Sequence, residues 1–333
     1  RSVDLSQRTG SPALRGQLRM AVDPRDGRPL VVGLSDAGVM LFSTNARGEW
    51  TRRNLTRAIR GAANIDRALT ITTDPSGLSQ IAGFSPAGEL VTFTLTGTRM
   101  ANGHWRVAFA NLSRRDGLGP IGGVITGELA GVYSTRLGAM LLTGVNAQGQ
   151  AVLLTRPGGA DSTARSWVRT LARPAGSPAL TGPLSVHETS AGIVQITGTD
   201  ATGAVWALTQ RPGQRFRAVN VTGVVAGAPA LLTGSVASYV NQTLAFTAGL
   251  TGDGRVVLYR FDPAPAAAGG GWRVASVSGA VSGAPELAGR LSVSISGRSV
   301  VIAGVDALGE AVRFVFRPGA GWAAESVSRI IAP

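Results

Sequence analysis

Hydrophobic residues along this chain come in runs of about five, rich in Val, Leu, Ile and Thr and bounded by Gly, Pro, Ser, Asn or Asp, with no helical periodicity. The pattern predicts short strands joined by tight turns. One arrangement recurs: two mostly apolar residues, a glycine, any residue, a small polar residue, and a second glycine three positions beyond. It reads VVGLSDAG (Gly33, Gly38), IAGFSPAG (Gly83, Gly88), LTGVNAQG (Gly144, Gly149), ITGTDATG (Gly198, Gly203), TAGLTGDG (Gly249, Gly254) and IAGVDALG (Gly304, Gly309). The first glycines are 50, 61, 54, 51 and 55 residues apart, so the chain holds six copies of one repeat.

Each copy predicts a β-hairpin. The polar residue (Ser35, Ser85, Asn146, Asp200, Thr251, Asp306) can close the turn by bonding backbone amides, and the second glycine can take the positive φ that ends the loop. A large aromatic opens a further strand 17 to 23 residues after the first glycine: Trp50, Trp105, Trp167, Phe216, Trp272 and Trp322. Punctuation such as GSPAL or AGAPAL then leads to another strand, as in LSVHE or LSVSI. Four strands per repeat of this length predict a β-propeller blade, whereas the rungs of a stacked β-helix are shorter. The expected fold is therefore all-β, a six-bladed propeller of four-stranded antiparallel blades in a single domain, 1–333. The repeats run about 11–60, 61–117, 118–175, 176–225, 226–281 and 282–333. Residues 1–10 make an extra outer strand, because SVDLSQ resembles the closing strands ASVSG and ESVSR. One terminus is expected to complete the last blade, with the N-terminal strand either displacing AAESVSR or remaining from something upstream.

Composition narrows the chemistry. All 32 basic residues are arginine, giving a net charge of +13, and there is no cysteine, hence no disulfide and no thiolate metal site. Arginine without lysine, together with abundant Ala and Gly, points to a high-GC bacterial genome. No apolar run is long enough to span a membrane. The chain opens on Arg1 without a charged-then-apolar leader, which suggests a mature chain or a piece of a longer one. A secreted or cell-surface protein is expected.

The candidate catalytic groups are few. The turn aspartates exchange with Ser, Thr and Asn at the same position, which suits turn formation rather than a metal, and no cofactor is expected. The two histidines, His104 and His187, stand apart; His187 and its neighbour Glu188 point to opposite faces of one strand. No Ser-His-Asp set, paired carboxylates or phosphate-binding glycine loop emerges. The strand-opening tryptophans are expected to pack between sheets. Trp206 differs, since it sits in the third strand of the fourth repeat and has no counterpart elsewhere.

Half the arginines, sixteen, fall in residues 1–115 against eight acids, with clusters at TRRNLTRAIRG (Arg52, Arg53, Arg57, Arg60) and LSRRDG (Arg114, Arg115). Arg57, Arg60, Arg114 and Arg115 lie where an outer strand passes to the next inner strand. There they can present bidentate donors to the carboxylates or sulfates of an acidic polysaccharide. Exposed aromatics are not interleaved with them, so a nucleic-acid partner is not expected.

The blade layout resembles that of the sialidase-like, fucose-binding propeller lectins of bacteria and fungi. The stretch ITGTDATGAVW (196–206) is similar to that family's G-T-D-G-x-L-W and brings Trp206 with it, while the other five repeats have no Trp at that place. The resemblance implies a propeller with surface sugar sites, and the missing Trp implies poor binding of neutral fucose-type sugars. The reading that follows is a non-catalytic extracellular module, structural or recognising, with protein partners, self-assembly or acidic glycans as its contacts. Its alternative is a sialidase-like glycoside hydrolase or lyase.

Overall fold

In the computed structural model of the chain the described residues are 9–23, 26–45, 47–74, 76–99, 105–116, 124–135, 137–156, 168–172, 174, 176–241, 244–262, 271–296 and 299–326. They form six antiparallel sheets of four strands, and each sheet takes its strands in chain order. Sheet one holds β1 (Leu14–Val22), β2 (Pro29–Ser35), β3 (Gly38–Thr44) and β4 (Trp50–Asn54). Sheet two holds β5 (Arg67–Thr73), β6 (Ser79–Phe84), β7 (Leu90–Arg99) and β8 (Trp105–Asn111). Sheet three holds β9 (Ala130–Ser134), β10 (Ala139–Val145), β11 (Ala151–Arg156) and β12 (Val168–Ala172). Sheet four holds β13 (Leu180–Glu188), β14 (Val194–Asp200), β15 (Val205–Gln210) and β16 (Arg217–Asn220). Sheet five holds β17 (Ala237–Asn241), β18 (Leu244–Leu250), β19 (Val256–Phe261) and β20 (Trp272–Ser276). Sheet six holds β21 (Leu287–Ser296), β22 (Ser299–Asp306), β23 (Ala311–Arg317) and β24 (Gly321–Ser326).

The fourth position of sheet six is thus filled by β24, from the chain's own last repeat, and is not ceded to an N-terminal strand. The expected extra strand at SVDLSQ lies outside the described residues. Single helical turns stand at Leu55–Ala58, Leu112–Arg115 and Val221–Val224, with a 3-10 turn at Ser278–Ala280.

The chain divides into two compact units, one including Val3–Ala147 and Val152–Thr170, the other Gln148–Ala151 and Leu171–Pro333. In each unit the core lies between successive sheets. Leu30, Val32 and Leu41 of sheet one meet Ile81, Phe93 and Trp105 of sheet two. Phe84 and Leu90 of sheet two meet Met140, Leu142 and Leu154 of sheet three. In the other unit Val205 and Ala207 of sheet four meet Val257 and Tyr259 of sheet five, and Leu250 and Leu258 of sheet five meet Ile302 and Phe314 of sheet six. Sheets with both faces buried need apolar residues at alternate and non-alternate positions alike, which is why their strands read as continuous runs.

The first repeat glycine serves this packing. A Cβ on Gly198 would stand 2.5 Å from the Leu184 side chain, and one on Gly249 would stand 2.2 Å from Leu231. Each glycine is the gap that receives a branched residue from the strand or linker beside it. The first strands of sheets one, two, four and six carry a register shift, a β-bulge. At three of those bulges a residue has positive φ: Gly182, Gly289 and, alone among the described non-glycine residues, Ala68.

Candidate functional site

Three recurring pieces assemble the hairpin-turn ends of the sheets. First comes the turn itself. Asp200 Oδ1 accepts from the Thr202 and Ala204 amides at 2.9 and 3.1 Å, Asp306 Oδ1 from the Leu308 and Glu310 amides at 2.9 and 2.8 Å, and Thr251 Oγ1 from the Arg255 amide at 3.1 Å. Ser85 accepts from the Glu89 amide at 3.2 Å. Ser35 closes its turn in the opposite sense, donating to the Gly38 carbonyl at 3.0 Å.

The second piece is a one-turn element after the fourth strand, written Asn-Leu-Thr (54–56), Asn-Leu-Ser (111–113), Asn-Val-Thr (220–222) and Ser-Val-Ser (276–278). Its first residue caps the turn: Asn54, Asn111 and Asn220 accept from the amides of Arg57, Arg114 and Gly223, and Ser276 from that of Gly279. Its middle residue is buried, and its third accepts the first free amide of the third strand. Thr56 takes Val39 N at 3.1 Å, Ser113 takes Leu90 N at 2.9 Å, Thr222 takes Val205 N at 2.8 Å and Ser278 takes Val256 N at 2.9 Å. The signal for this device stands in the sequence as Asn/Ser, apolar, Thr/Ser after the outer strands of sheets one, two, four and five, yet sequence reasoning passed over it because its spacing resembles ordinary linker.

The third piece is the approach to the next sheet. Leu180 N donates to Gly149 O at 2.7 Å, Leu231 N to Gly203 O at 2.8 Å, and Leu287 N to Gly254 O at 2.8 Å. At Gly203 the φ of +81° and the Leu231 carbonyl, 2.3 Å from where a Cβ would stand, both demand glycine.

Where the third hairpin meets the linker into β13, these pieces border a cleft of about 250 Å³. Gln148 and Gln150 flank it from the turn, Ser177 from the linker, and Ala172, Leu180 and Leu208 give it an apolar floor. No charged side chain lines it. Such a surface can exchange hydrogen bonds with hydroxyl groups while resting a C–H face on the leucines, and offers nothing to neutralise an anion.

The expected site residues lie on different elements. Arg57 and Arg60 are exposed at and just beyond the turn 55–58, and among the described residues neither has an ion-pair partner. Arg114 and Arg115, expected as free donors, are already committed. Arg114 Nε meets Glu89 Oε1 at 2.6 Å, and Arg115 grips Asp116 in bidentate fashion at 2.8 and 2.9 Å. The Arg114 hydrogen bond, with a second from Asn111, holds the Glu89 carboxyl below its ordinary range. Of the neighbouring cluster, Arg52 bonds the Gly10 carbonyl and Arg53 the Trp105 carbonyl; these bonds fix the side chains without neutralising their charge.

Trp206 is half-buried, two positions from Leu208 on the same face of β15, and is not among the residues lining the cleft. Its Nε1 donates to Asp200 Oδ2 at 2.9 Å. Burial alone would raise the Asp200 carboxyl; the bonds from Thr202, Trp206 and two amides outweigh it and hold it below its usual value. The Trp after this turn therefore braces the hairpin. Trp105 is only 3% exposed, and the rings of Trp272 and Trp322 tilt against Phe261 and Phe316 at 5.1 and 5.4 Å, so these strand-opening aromatics do pack. Trp167 and His104 lie outside the described residues. His187 is buried on β13. Among the described residues no three His, Asp or Glu side chains are placed to hold a metal ion.

No family model matches the sequence, and no curated protein matches it. Solved structures do. AofleA from Arthrobotrys oligospora superimposes with a TM-score of 0.60 at 14% identity, over 95% of this chain and 87% of that one. A lectin from Burkholderia pseudomallei gives 0.61 at 14% identity, over 92% and 82%. The Aleuria aurantia lectin, described for its six-bladed β-propeller fold and its fucose recognition, gives 0.56 at 11% identity, over 95% and 96%. The likeness covers all six sheets, and the class it defines is that of β-propellers with six four-stranded blades. This chain has the fold of the six-bladed propeller lectins, at an identity that shows the fold alone.

Proposed function

We propose that the chain is a non-catalytic recognition module for neutral, hydroxyl-rich glycans, working outside the cell, with the cleft at Gln148, Gln150 and Ser177 as a binding place. The observation that carries this reading is the cleft's chemistry: carboxamides and a hydroxyl over an apolar floor, without charge. The fold it shares with lectins supports the same class by analogy. The acidic-glycan reading draws on fewer groups than the sequence promised, because Arg114 and Arg115 already hold carboxylates of this chain. Two exposed arginines, Arg57 and Arg60, supply about 1 kcal/mol each or less. A hydrolase of the sialidase-like type finds less support still, since His187 is buried and Arg114 and Arg115 are spent on internal pairs.

Titration calorimetry with α-methyl fucoside and with a sialylated glycan tests the reading. The expected result is weak binding of the neutral sugar, reduced at least about tenfold by Gln148→Ala with Gln150→Ala, the loss of one or two hydrogen bonds. Binding confined to the acidic glycan, and abolished by Arg57→Ala with Arg60→Ala, would return the site to the arginines.

A further inference from the structure

One face of sheet four buries more polar atoms than its neighbours can bond. Residues directly opposite one another on β13, β14 and β15 are His187, Gln195 and Thr209, then Ser185, Thr197 and Ala207, then, on β14 and β15, Thr199 and Val205. Opposed residues share a face, so all of these look the same way. They look toward sheet five: Val205 and Ala207 pack on Val257 and Tyr259, and Ser185 Oγ bonds Ser238 Oγ at 2.5 Å. His187, Gln195, Thr197 and Thr199 are each at most 4% exposed. Yet both ring nitrogens of His187, Oε1 of Gln195 and the hydroxyls of Thr197 and Thr199 have no hydrogen-bond partner. The Gln195 amide nitrogen donates to Thr209 Oγ1 at a long 3.4 Å.

A buried donor or acceptor left dry lowers the folding equilibrium by roughly one to two powers of ten. Five on one face would exhaust the stability of an ordinary domain. The arrangement also occurs twice. Gln80 stands three residues before the first glycine of its repeat, as Gln195 does. It donates to Thr94 Oγ1 at 3.2 Å and likewise leaves its Oε1 buried and unpartnered beside the orphan hydroxyl of Thr92. The polar row is graded as well: from His187 and Gln195, both buried, through half-buried Thr209 to exposed Arg217, it crosses sheet four from first strand to last.

We propose that this seam is an internal hydration site. Ordered water enters at the Thr209 and Arg217 edge, donates to Gln195 Oε1, bridges the Thr197 and Thr199 hydroxyls, and ends on the His187 ring. Water fits because the face needs a guest that donates to a carboxamide oxygen and both donates to and accepts from hydroxyls and a neutral imidazole. A cation would find no carboxylate among these residues, and an anion would find a positive charge only at the rim.

Gln195→Met separates a wet seam from a dry one. In a dry seam the substitution removes an orphan and raises the denaturation midpoint. In a wet one it strips a water of its anchor and shifts the unfolding equilibrium about tenfold toward the unfolded chain. A high-resolution crystal structure of the unsubstituted protein gives the second readout. At least two water peaks are expected, each within hydrogen-bond distance of two of the named atoms. A seam without such peaks, or a stabilised Gln195→Met, overturns the proposal, and the crystal structure decides if the variant does not fold.

Discussion

Acidification from neutral pH should weaken this protein through His187 before its carboxylates begin to titrate. Burial lowers the His187 pKa from 6.5 to about 4; the Gln195 amide opposite offsets this slightly, although no hydrogen bond of ordinary geometry joins the two. The folded chain therefore keeps the ring neutral where the unfolded chain protonates it. Above pH 6.5 both states are neutral and the stability is whole. As the pH falls from 6.5 toward 4 only the unfolded state gains the proton, so stability declines; below 4 the histidine contributes no further loss. The full span is about 3 kcal/mol, an upper figure because water in the seam would solvate the charged ring. Carboxylates held below their usual range, such as Glu89 and Glu325, add their own loss only near and below about pH 4.5. Urea denaturation at half-unit pH steps reads the effect, in a His104→Gln background that removes the chain's other histidine. A further His187→Gln should flatten the curve between pH 6.5 and 4.5. Parallel curves with and without His187 would refute the reasoning.

Four further outcomes follow from the turn ends. Gly309 has a φ of +80° and open space around its missing Cβ, so Gly309→Ala should cost about 1–2 kcal/mol. Gly203→Ala meets a carbonyl as well and should cost more than about 3 kcal/mol by thermal or urea denaturation. Thr222→Val leaves the Val205 amide without its acceptor and should cost about 1–3 kcal/mol, with Thr222→Ser restoring most of it. Arg114→Ala should raise the Glu89 pKa, read by NMR titration, and leave neutral-glycan binding unchanged.

Much of the architecture was legible because a turn imposes local chemistry that no tertiary context can supply. The six glycine pairs, the polar turn residues and the strand-opening aromatics each answer a constraint within a few residues, and those among the described residues stand where the repeat predicted. The resemblance carried by residues 196–206 likewise pointed to the right fold class. What escaped was set by distance in the sequence. Arg114 and Glu89 are 25 residues apart and meet only because the one-turn element folds back on the third strand. The bond from the Trp206 indole to Asp200 depends on how the hairpin brings the two side chains together, which the residue pattern does not state. The polar row from His187 to Arg217 depends on the strand register beyond a bulge, which periodicity does not fix. The cleft is lined by parts of the third turn motif and of the GSPAL linker together with Ala172 and Leu208 from two other strands, a grouping that only the fold creates.

A glycan panel presented to the protein at low and high salt, with each bound glycan recovered and weighed, tests the central claim most directly. Neutral recognition predicts capture of hydroxyl-rich uncharged glycans that persists at high salt, and recovery at unchanged mass. Capture restricted to acidic glycans and lost in salt, or recovery of shortened products, would contradict it.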